Sequence, residues 1–304
     1  MAFADSWQPM RLPLHPIERA QPLLGTVVRI RVEGLEEALG HTVISHAFGI
    51  IADVHRLMSF HEPDSEISRL NREAWRAATR IHVHTRRVLE KALDVASVSG
   101  GLFDPTIAPM LVESGLLPTP DARTPDPGAT WRDISLAEDG TVAFGKPLWI
   151  DLGGIAKGYA VDCAMAHIST YRPARACVEA GGDLKLYGEG PEPVYLAAPA
   201  VADSVPVLKV ENAAVASSGS QVPDDREGAP VSPHVDTRAR GYCRTDRFVT
   251  VAAPHCIDAD ALTKVVMAGG IAAAPALERY QAQAFLYEHA SWIRIPDGSP
   301  SDCC

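Results

Sequence analysis

The sequence predicts an α+β fold in which antiparallel sheets are flanked by helices. Strand-like segments follow one another over residues 175–215, without the regular β-α-β alternation that is typical of a parallel sheet. The chain has 304 residues, of which 46% are hydrophobic and 22% charged, which is enough for a substantial core. We therefore expect a single domain over residues 21–295, an N-terminal extension over residues 1–20 and a disordered tail over residues 296–304.

The first predicted elements are a strand and a long helix. Residues 27–32 alternate apolar and polar side chains, as a half-buried strand does, and residues 35–57 carry apolar side chains at helical spacing. A second helix is predicted over residues 85–97. The chain therefore opens strand first, then helix.

The later elements are an apolar strand at residues 147–150, a helix ending near Thr170 and a strand at residues 248–253. Residues 265–277 form the longest apolar run, but it contains glycines and a proline and is shorter than the about 20 residues that span a bilayer. It predicts a buried helix and its turn, with no transmembrane segment.

The net charge and the N-terminal residues disfavour two classes of protein, those that bind nucleic acid and those that are exported. The net charge of −10 without a basic cluster disfavours a nucleic-acid partner, because binding phosphates needs clustered Lys and Arg. The N-terminus lacks a basic region followed by an apolar core, so we expect a cytoplasmic protein unless the chain has been trimmed.

A turn with paired glycines is the most informative segment. It runs from Asp151 through Gly153 and Gly154 into a helix, and exposed backbone amides at such a helix start suit an anion. The pattern is neither a P-loop nor a dinucleotide fingerprint, so a purely structural turn is an alternative.

Several other segments of the chain make this motif more specific than a common turn. They are Leu-Gly-Thr at 24–26, Met-Ser at 58–59, Pro-Asp-Ser-Glu-Ile-Ser-Arg-Leu-Asn at 63–71, Phe-Asp-Pro-Thr-Ile-Ala-Pro at 103–109, the glycine turn, Gly-Gly-Asp-Leu at 181–184, Ala-Val-Ala-Ser-Ser-Gly at 214–219, Val-Thr-Val-Ala-Ala-Pro at 249–254 and Ala-Asp-Ala-Leu at 259–262. Together they resemble the signature blocks of the FAD:protein FMN transferase (ApbE) family across nearly the whole chain.

The resemblance implies a flavin transferase fold and a reaction. FMN would pass from FAD to a Thr or Ser hydroxyl of an acceptor redox protein, and AMP would leave. The resemblance also implies Mg²⁺, held by Asp260, by the backbone carbonyl of Ala156 and by a hydroxyl four residues after the Asp. A spacing of four puts two side chains on one helical face.

Lys264 stands where the family has that hydroxyl, and Thr263 is displaced by one position, about 100° around the helix. Three hypotheses follow. The chain has a magnesium site completed by other oxygens, such as Asp258 or Thr263. It has a metal-independent phosphate site that uses Lys264. Or it binds FAD without transferring FMN.

The flavin side carries a second departure. Where the family has an aromatic residue that stacks near the flavin ring, this chain has His61, with Phe60 beside it. Either ring could stack on a flavin. The alternative is that Phe60 belongs to the core and that His61 is an exposed turn residue.

The resemblance implies further nucleotide contacts. They are expected at Asp104, Thr106, Lys157, Gly182, Asp183, Ser217 and Ser218. Helix capping and β-turns explain several of these residues almost as well. The register of the family's loop histidine is ambiguous by one residue: it falls on Pro233 when Asp236 and Arg238 are matched to the family pattern, and His234 is interpreted as a surface loop residue.

We predict a flavin transferase with Asp260 and Lys264 at its catalytic centre. Asp258 and Asp151 are the candidates for the general base, since a carboxylate can accept the proton of an attacking hydroxyl. Two alternatives are an FAD pyrophosphatase that yields FMN and AMP, and a non-catalytic FAD-binding protein.

Overall fold

The computed structural model describes residues 15–196, 206–219, 234–238, 241–243 and 247–296. Most of the predicted extension (1–20) and almost all of the predicted tail (296–304) lie outside these residues. The helices are α1 (Glu37–Met58), α2 (Glu66–Glu73), α3 (Val83–Val98), α4 (Ala108–Glu113), α5 (Ala156–Ser169), α6 (Cys256–Gly269) and α7 (Ala274–Arg279). The strands are β1 (Ile17–Leu23), β2 (Thr26–Glu33), β3 (Thr79–Arg80), β4 (Ile134–Leu136), β5 (Thr141–Phe144), β6 (Arg175–Ala180), β7 (Asp183–Gly188), β8 (Glu192–Tyr195), β9 (Val207–Val210), β10 (Ala214–Gly219), β11 (Val235–Asp236), β12 (Gly241–Tyr242), β13 (Phe248–Ala253), β14 (Gln283–Glu288) and β15 (Ser291–Ile295).

An eight-stranded antiparallel sheet forms the frame, in the order β1-β2-β6-β7-β10-β13-β14-β15. The α+β prediction is confirmed. β1 begins inside the range predicted as an extension, because Ile17 pairs with Val32 of β2. Leu24 and Gly25, both with positive φ, close this hairpin.

Helix α5 packs between α1 and α6, and all three helices also pack on the sheet. The predicted first helix is confirmed as α1. Its apolar stripe includes Val43, Ile44 and Ile51, which are fully buried, and each such side chain contributes about 1.5–3 kcal/mol. Glu36 caps the helix by accepting from the amides of Ala38 and Leu39.

The predicted apolar run forms the end of α6, a 3₁₀ turn and α7. Among the described residues, the helical stretch Cys256–Arg279 is long and apolar enough for a membrane span by length and composition, and 61% of its apolar window is buried inside the protein. Val265 and Val266 are fully buried, and α6 packs against β10 and β13. The prediction of a buried helix and its turn is confirmed.

The predicted strand at residues 147–150 is wrong. The side chain of Asn71 replaces a neighbouring strand: its Oδ1 accepts from the amide of Ile150 at 2.8 Å, and its Nδ2 donates to the carbonyl of Ile150 at 3.1 Å. The amide of Asp151 then donates to the carbonyl of Pro105 at 2.8 Å. These bonds hold the chain immediately before the glycine turn and so set where α5 begins.

Candidate functional site

Three adjoining cavities form one groove beside the glycine turn. The central chamber, of about 260 Å³, is lined by both glycines of the turn together with Lys157 and Lys264. The His61 chamber, of about 440 Å³, shares Asp151, Gly153 and Lys157 with it. The Trp149 chamber, of about 550 Å³, adjoins the opposite end. A ligand with two ring systems and a charged middle fits this layout.

The two outer chambers are largely apolar and carry aromatic groups. Met58, Phe60 and His61 line the His61 chamber. Trp149 and several prolines line the Trp149 chamber, which shares Asp104 with the central chamber. Stacking surfaces therefore stand at both ends of the groove, and charge is concentrated between them.

Four charged residues at the central chamber form what we call the Lys–Asp cluster: Lys157, Asp183, Asp260 and Lys264. The ammonium of Lys264 contacts Oδ1 of Asp260 and lies 3.1 Å from the carbonyl oxygen of the same residue. The ammonium of Lys157 lies 3.2 Å from Oδ2 of Asp183 and 3.5 Å from Oδ2 of Asp260. Asp260 therefore holds both lysines, and each lysine borders the groove.

Gly158 allows α5 and α6 to approach closely enough to assemble this cluster. Its amide donates to Oδ2 of Asp260 at 3.0 Å. A Cβ at this position would lie 2.3 Å from the carbonyl oxygen of Cys256 and 2.8 Å from Cβ of Asp260. Only glycine fits between the two helices at this point.

The ion pairs within the cluster set its protonation. Burial alone would raise the pKa of Asp260, but Lys157 and Lys264 lower it to about 2. Burial, together with the charge of Asp260, raises the pKa of Asp183 to about 6, although Lys157 opposes that rise. Burial would lower the pKa of Lys157, but the two carboxylates raise it well above its usual range. At neutral pH Lys157 is therefore a cation, and Asp260 is a carboxylate.

Three amides at the glycine turn, those of Gly153, Ile155 and Ala156, are engaged within the protein. The amide of Gly153 donates to Oδ1 of Asp151 at 3.0 Å. The amides of Ile155 and Ala156 donate to the carbonyl of Leu152. Since the amide of Gly158 is taken by Asp260, the lysines supply most of the positive charge that faces the chamber.

The family comparison decides the classification. A sequence model of the ApbE family matches residues 24–286, which is most of the chain. The chain belongs to the ApbE family.

Curated relatives in the ApbE family carry one name. A protein named FAD:protein FMN transferase from Chlamydia pneumoniae is 27% identical over 268 residues, covering 81% of this chain and 81% of that protein. One of the same name from Treponema pallidum (strain Nichols) is 26% identical over 286 residues, covering 83% and 78%.

Solved structures agree on the ApbE fold. The flavin transferase ApbE from Vibrio cholerae superposes with a TM-score of 0.77 at 21% identity, covering 93% of this chain and 97% of that one. The ApbE protein from Thermotoga maritima reaches 0.80 at 23% identity with the same coverage.

His61 and Phe60 both border the groove, as the ApbE resemblance implies. Phe60 is 7% exposed and packs in the core with one edge in the chamber. His61 is exposed, and its amide donates to Oγ of Ser59 at 3.2 Å. Core packing and ring stacking are therefore compatible at this pair.

Ser218, but not Ser217, faces the groove, because neighbouring side chains on a strand point to opposite faces. Ser218 lines the central chamber and bonds Oγ1 of Thr263 at 2.9 Å. Ser217 instead bonds Oγ1 of Thr250 on the neighbouring strand at 2.9 Å. The prediction that Ser217 contacts the pyrophosphate does not fit this geometry.

Gly182 and Asp183 have different roles. Gly181 and Gly182 both have positive φ and form the turn between β6 and β7, so Gly182 serves the turn and lines none of the three chambers. Asp183, which follows it, belongs to the Lys–Asp cluster. The expected nucleotide contact of Gly182 is therefore not supported.

Asp258 does not reach the cluster, although it lies two residues before Asp260. Asp258 is 4% exposed, and its carboxylate pairs with the ammonium of Lys91 on α3 at 2.9 Å. A separation of two residues turns a helical side chain about 200° away. The prediction of Asp258 as the general base, or as a metal ligand, is corrected accordingly.

Asp104 and Thr106 form an Asx-type turn before α4 and also line the groove wall. Oδ1 of Asp104 accepts from the amide of Thr106 at 2.8 Å and from its hydroxyl at 2.7 Å. Both residues line the Trp149 chamber. The local structural role is therefore observed, and the nucleotide contact stays a prediction.

His234 is the functional candidate that sequence reasoning missed. It lines the central chamber beside Lys264 and Ser218 and is not a surface loop residue. Burial, reinforced by the charge of Lys264, lowers the pKa of His234 to about 4, so its ring is neutral at pH 7. The one-residue ambiguity in the register of this loop was the signal that could have found it.

Proposed function

We propose that the protein transfers FMN from FAD to a Thr or Ser hydroxyl of an acceptor protein and releases AMP. The observation that carries the proposal is the groove, in which two chambers with aromatic walls are joined by a central chamber that carries Lys157 and Lys264. FAD has this layout, with two ring systems joined through a pyrophosphate. The names of the curated relatives support the same activity.

The flavin is assigned to the His61 chamber and the adenosine to the Trp149 chamber. His61 and Phe60 offer stacking faces at one end, and Asp104 and Thr106 offer oxygens at the other. The flavin-side phosphorus then lies where the His61 and central chambers meet, beside Asp151, Gly153 and Lys157.

The reaction is an in-line displacement at that phosphorus. The acceptor oxygen forms a new P–O bond, the P–O bond to the AMP phosphate breaks, and AMP leaves with the bonding electrons. Asp151 is proposed to take the hydroxyl proton, since it stands at this junction and burial raises its pKa. Lys157 and Lys264 stabilise the charge that develops on the phosphate oxygens.

Magnesium is the cation that the family resemblance implies, and it would neutralise the pyrophosphate when bound. The donor atoms here do not fit it, because Lys264 contacts the carboxylate oxygen of Asp260 that the ion would take. A divalent ion about 4 Å from an ammonium would be repelled by about 8 kcal/mol at an effective dielectric constant of about 20. No step of the proposed reaction is assigned to a metal.

The proposal is tested by incubating the purified protein with FAD and an acceptor domain that bears a target Thr. We expect the acceptor to gain the mass of FMN, with AMP released in equal amount, by intact-mass analysis and nucleotide chromatography. Free FMN and AMP without an adduct would instead establish a pyrophosphatase. Bound, unhydrolysed FAD without AMP would establish a flavin-binding protein.

His61 provides a direct test of where the flavin lies. We expect His61→Ala to weaken FAD binding about 5- to 10-fold, because ring stacking contributes about 1 kcal/mol. The measurement is quenching of flavin fluorescence on titration. His41→Ala is the matched control, since His41 is exposed on α1 and lines none of the three chambers. Equal affinities of the two variants would place the flavin elsewhere.

A further inference from the structure

We propose that the ammonium of Lys264 takes the place of the divalent cation at this phosphate site, so that the protein binds and uses FAD without a metal. The inference rests on the proposed function and deepens it. Three observations support it: the contacts of Lys264, the engagement of the side-chain oxygens a metal would need, and the access of Lys264 to the groove.

The first observation is the position of the charge. Lys264 follows Asp260 by one helical turn and contacts its carboxylate as well as its backbone carbonyl. In the family pattern a hydroxyl at this helical position completes the metal site together with the Asp. The ammonium therefore lies against the same carboxylate that would hold the ion.

The second observation is that the side-chain oxygens expected at a metal site, those of Asp260 and Thr263, are already used. Oδ1 of Asp260 is bound by Lys264, and its Oδ2 accepts from Gly158 and faces Lys157. Thr263 is fully buried. Its hydroxyl donates a hydrogen bond to the carbonyl oxygen of Asp260 at 2.7 Å and forms a second hydrogen bond with the hydroxyl of Ser218. Mg²⁺ demands near-octahedral oxygen coordination. Within the described residues, no group of three or more His, Cys, Asp or Glu side chains could hold a metal ion.

The third observation is that Lys264 can reach a phosphate. Its side chain is 20% exposed and lines the central chamber. Its aliphatic stem passes over Gly154, where a Cβ would lie 3.4 Å from Cε of Lys264. An ammonium has three N–H donors, and the two Asp260 oxygens take two of them, which leaves the third for a phosphate oxygen.

Lysine differs from a metal in what it offers the reaction. Its single charge is covalently attached to α6, and Lys157 adds a second charge from α5. Three of the amides at the glycine turn, those of Gly153, Ile155 and Ala156, are engaged within the protein and do not add to this charge. The two lysines together therefore supply what the ion supplies elsewhere in the family.

The experiment compares metal binding and FAD binding in wild type, Lys264→Thr and a matched control. Lys91→Thr is the control, because Lys91 pairs with Asp258 on another face of α6, away from the groove. Mn²⁺ binding without FAD is followed by electron paramagnetic resonance, and FAD binding by fluorescence with EDTA or with Mg²⁺. Circular dichroism confirms that each variant is folded.

We expect wild type and Lys91→Thr to bind no stoichiometric Mn²⁺ and to keep their FAD affinity within about twofold in EDTA. Lys264→Thr restores the family's hydroxyl and is expected to bind one Mn²⁺ per chain. Its FAD affinity should fall at least tenfold in EDTA and recover with Mg²⁺. Lys264→Met, which supplies neither charge nor oxygen, should lose affinity without recovery.

Several results would overturn the inference. One is stoichiometric Mn²⁺ binding by wild type that disappears in Asp260→Asn. Another is a folded Lys264→Thr variant that remains indifferent to metal, and a third is FAD affinity unchanged by Lys264→Met. Failure of wild type to bind FAD under any condition would refute the proposed function instead, and the Mn²⁺ measurements would still decide the inference.

Discussion

Asp260→Asn is expected to reduce FMN transfer about 1,000-fold, the largest effect of any single change in the groove. The carboxylate is fully buried and holds the ammonium groups of both Lys157 and Lys264. A neutral amide would leave these cations without their counter-charge and free to move from the phosphate oxygens. Loss of one preorganised electrostatic group costs about 100- to 1,000-fold, and here two groups depend on one residue.

The free energy of unfolding of Asp260→Asn is also expected to fall, by about 3 kcal/mol. Breaking a buried ion pair costs about 3–5 kcal/mol, and the lower end applies because both lysines keep some exposure to water. Domains are typically stable by about 5–15 kcal/mol, so the variant stays largely folded. Urea denaturation measures the stability, and intact mass of the acceptor measures transfer.

Asp162→Asn separates the loss of stability from the loss of the site. Asp162 lies on α5, pairs with Lys185 at 2.6 Å and accepts from the amides of Cys256 and Ile257 at the start of α6. It lines a different cavity. This control should lose comparable stability but keep transfer per folded molecule within about twofold. Asp260→Asn with more than a tenth of wild-type transfer would contradict the assignment.

Gly158→Ala is expected to lose at least 100-fold in transfer and about 3 kcal/mol in stability. The added methyl would lie 2.3 Å from the carbonyl oxygen of Cys256, which is backbone and cannot rotate away. α5 and α6 must therefore separate, which is costly in a packed core. Asp260 moves with α6, and a displacement of about 1 Å can cost about 100-fold in rate.

Gly49→Ala is the matched control for this substitution. Gly49 lies on the exposed face of α1, and nothing lies within 4 Å of an added Cβ there. Because alanine favours a helix over glycine, the variant should gain about 0.5–1 kcal/mol and transfer FMN normally. Thermal unfolding and the transfer assay check both variants. A Gly158→Ala variant as stable and active as Gly49→Ala would show that the helices tolerate the methyl.

Periodicity predicted the elements that bury one clear face. α1 and β2 were found where the apolar spacing placed them, because burial of one face imposes that spacing on the sequence. The prediction of a strand at residues 147–150 is wrong, because a continuous apolar run carries no such spacing. A buried apolar run does not reveal what satisfies its backbone, and here the side chain of Asn71 replaces a strand.

The groove residues divide in the same way. Ser217 and Ser218 are adjacent in a motif, yet the alternation of a strand sends only Ser218 into the chamber. Asp258 and Asp260 are two apart on one helix and therefore face different neighbours. Sequence identifies the residue types of such a motif, but which face meets the ligand depends on what packs beside it.

The sequence by itself determined the α+β fold, the order of the motif blocks and the presence of Lys264 one turn after Asp260. Only the tertiary structure decided that Lys157, Asp183, Asp260 and Lys264 meet at one chamber. These residues come from α5, β7 and α6, up to about a hundred residues apart in the chain. Their contact follows from the packing of the two helices at Gly158, a steric fit between distant segments that no local pattern encodes.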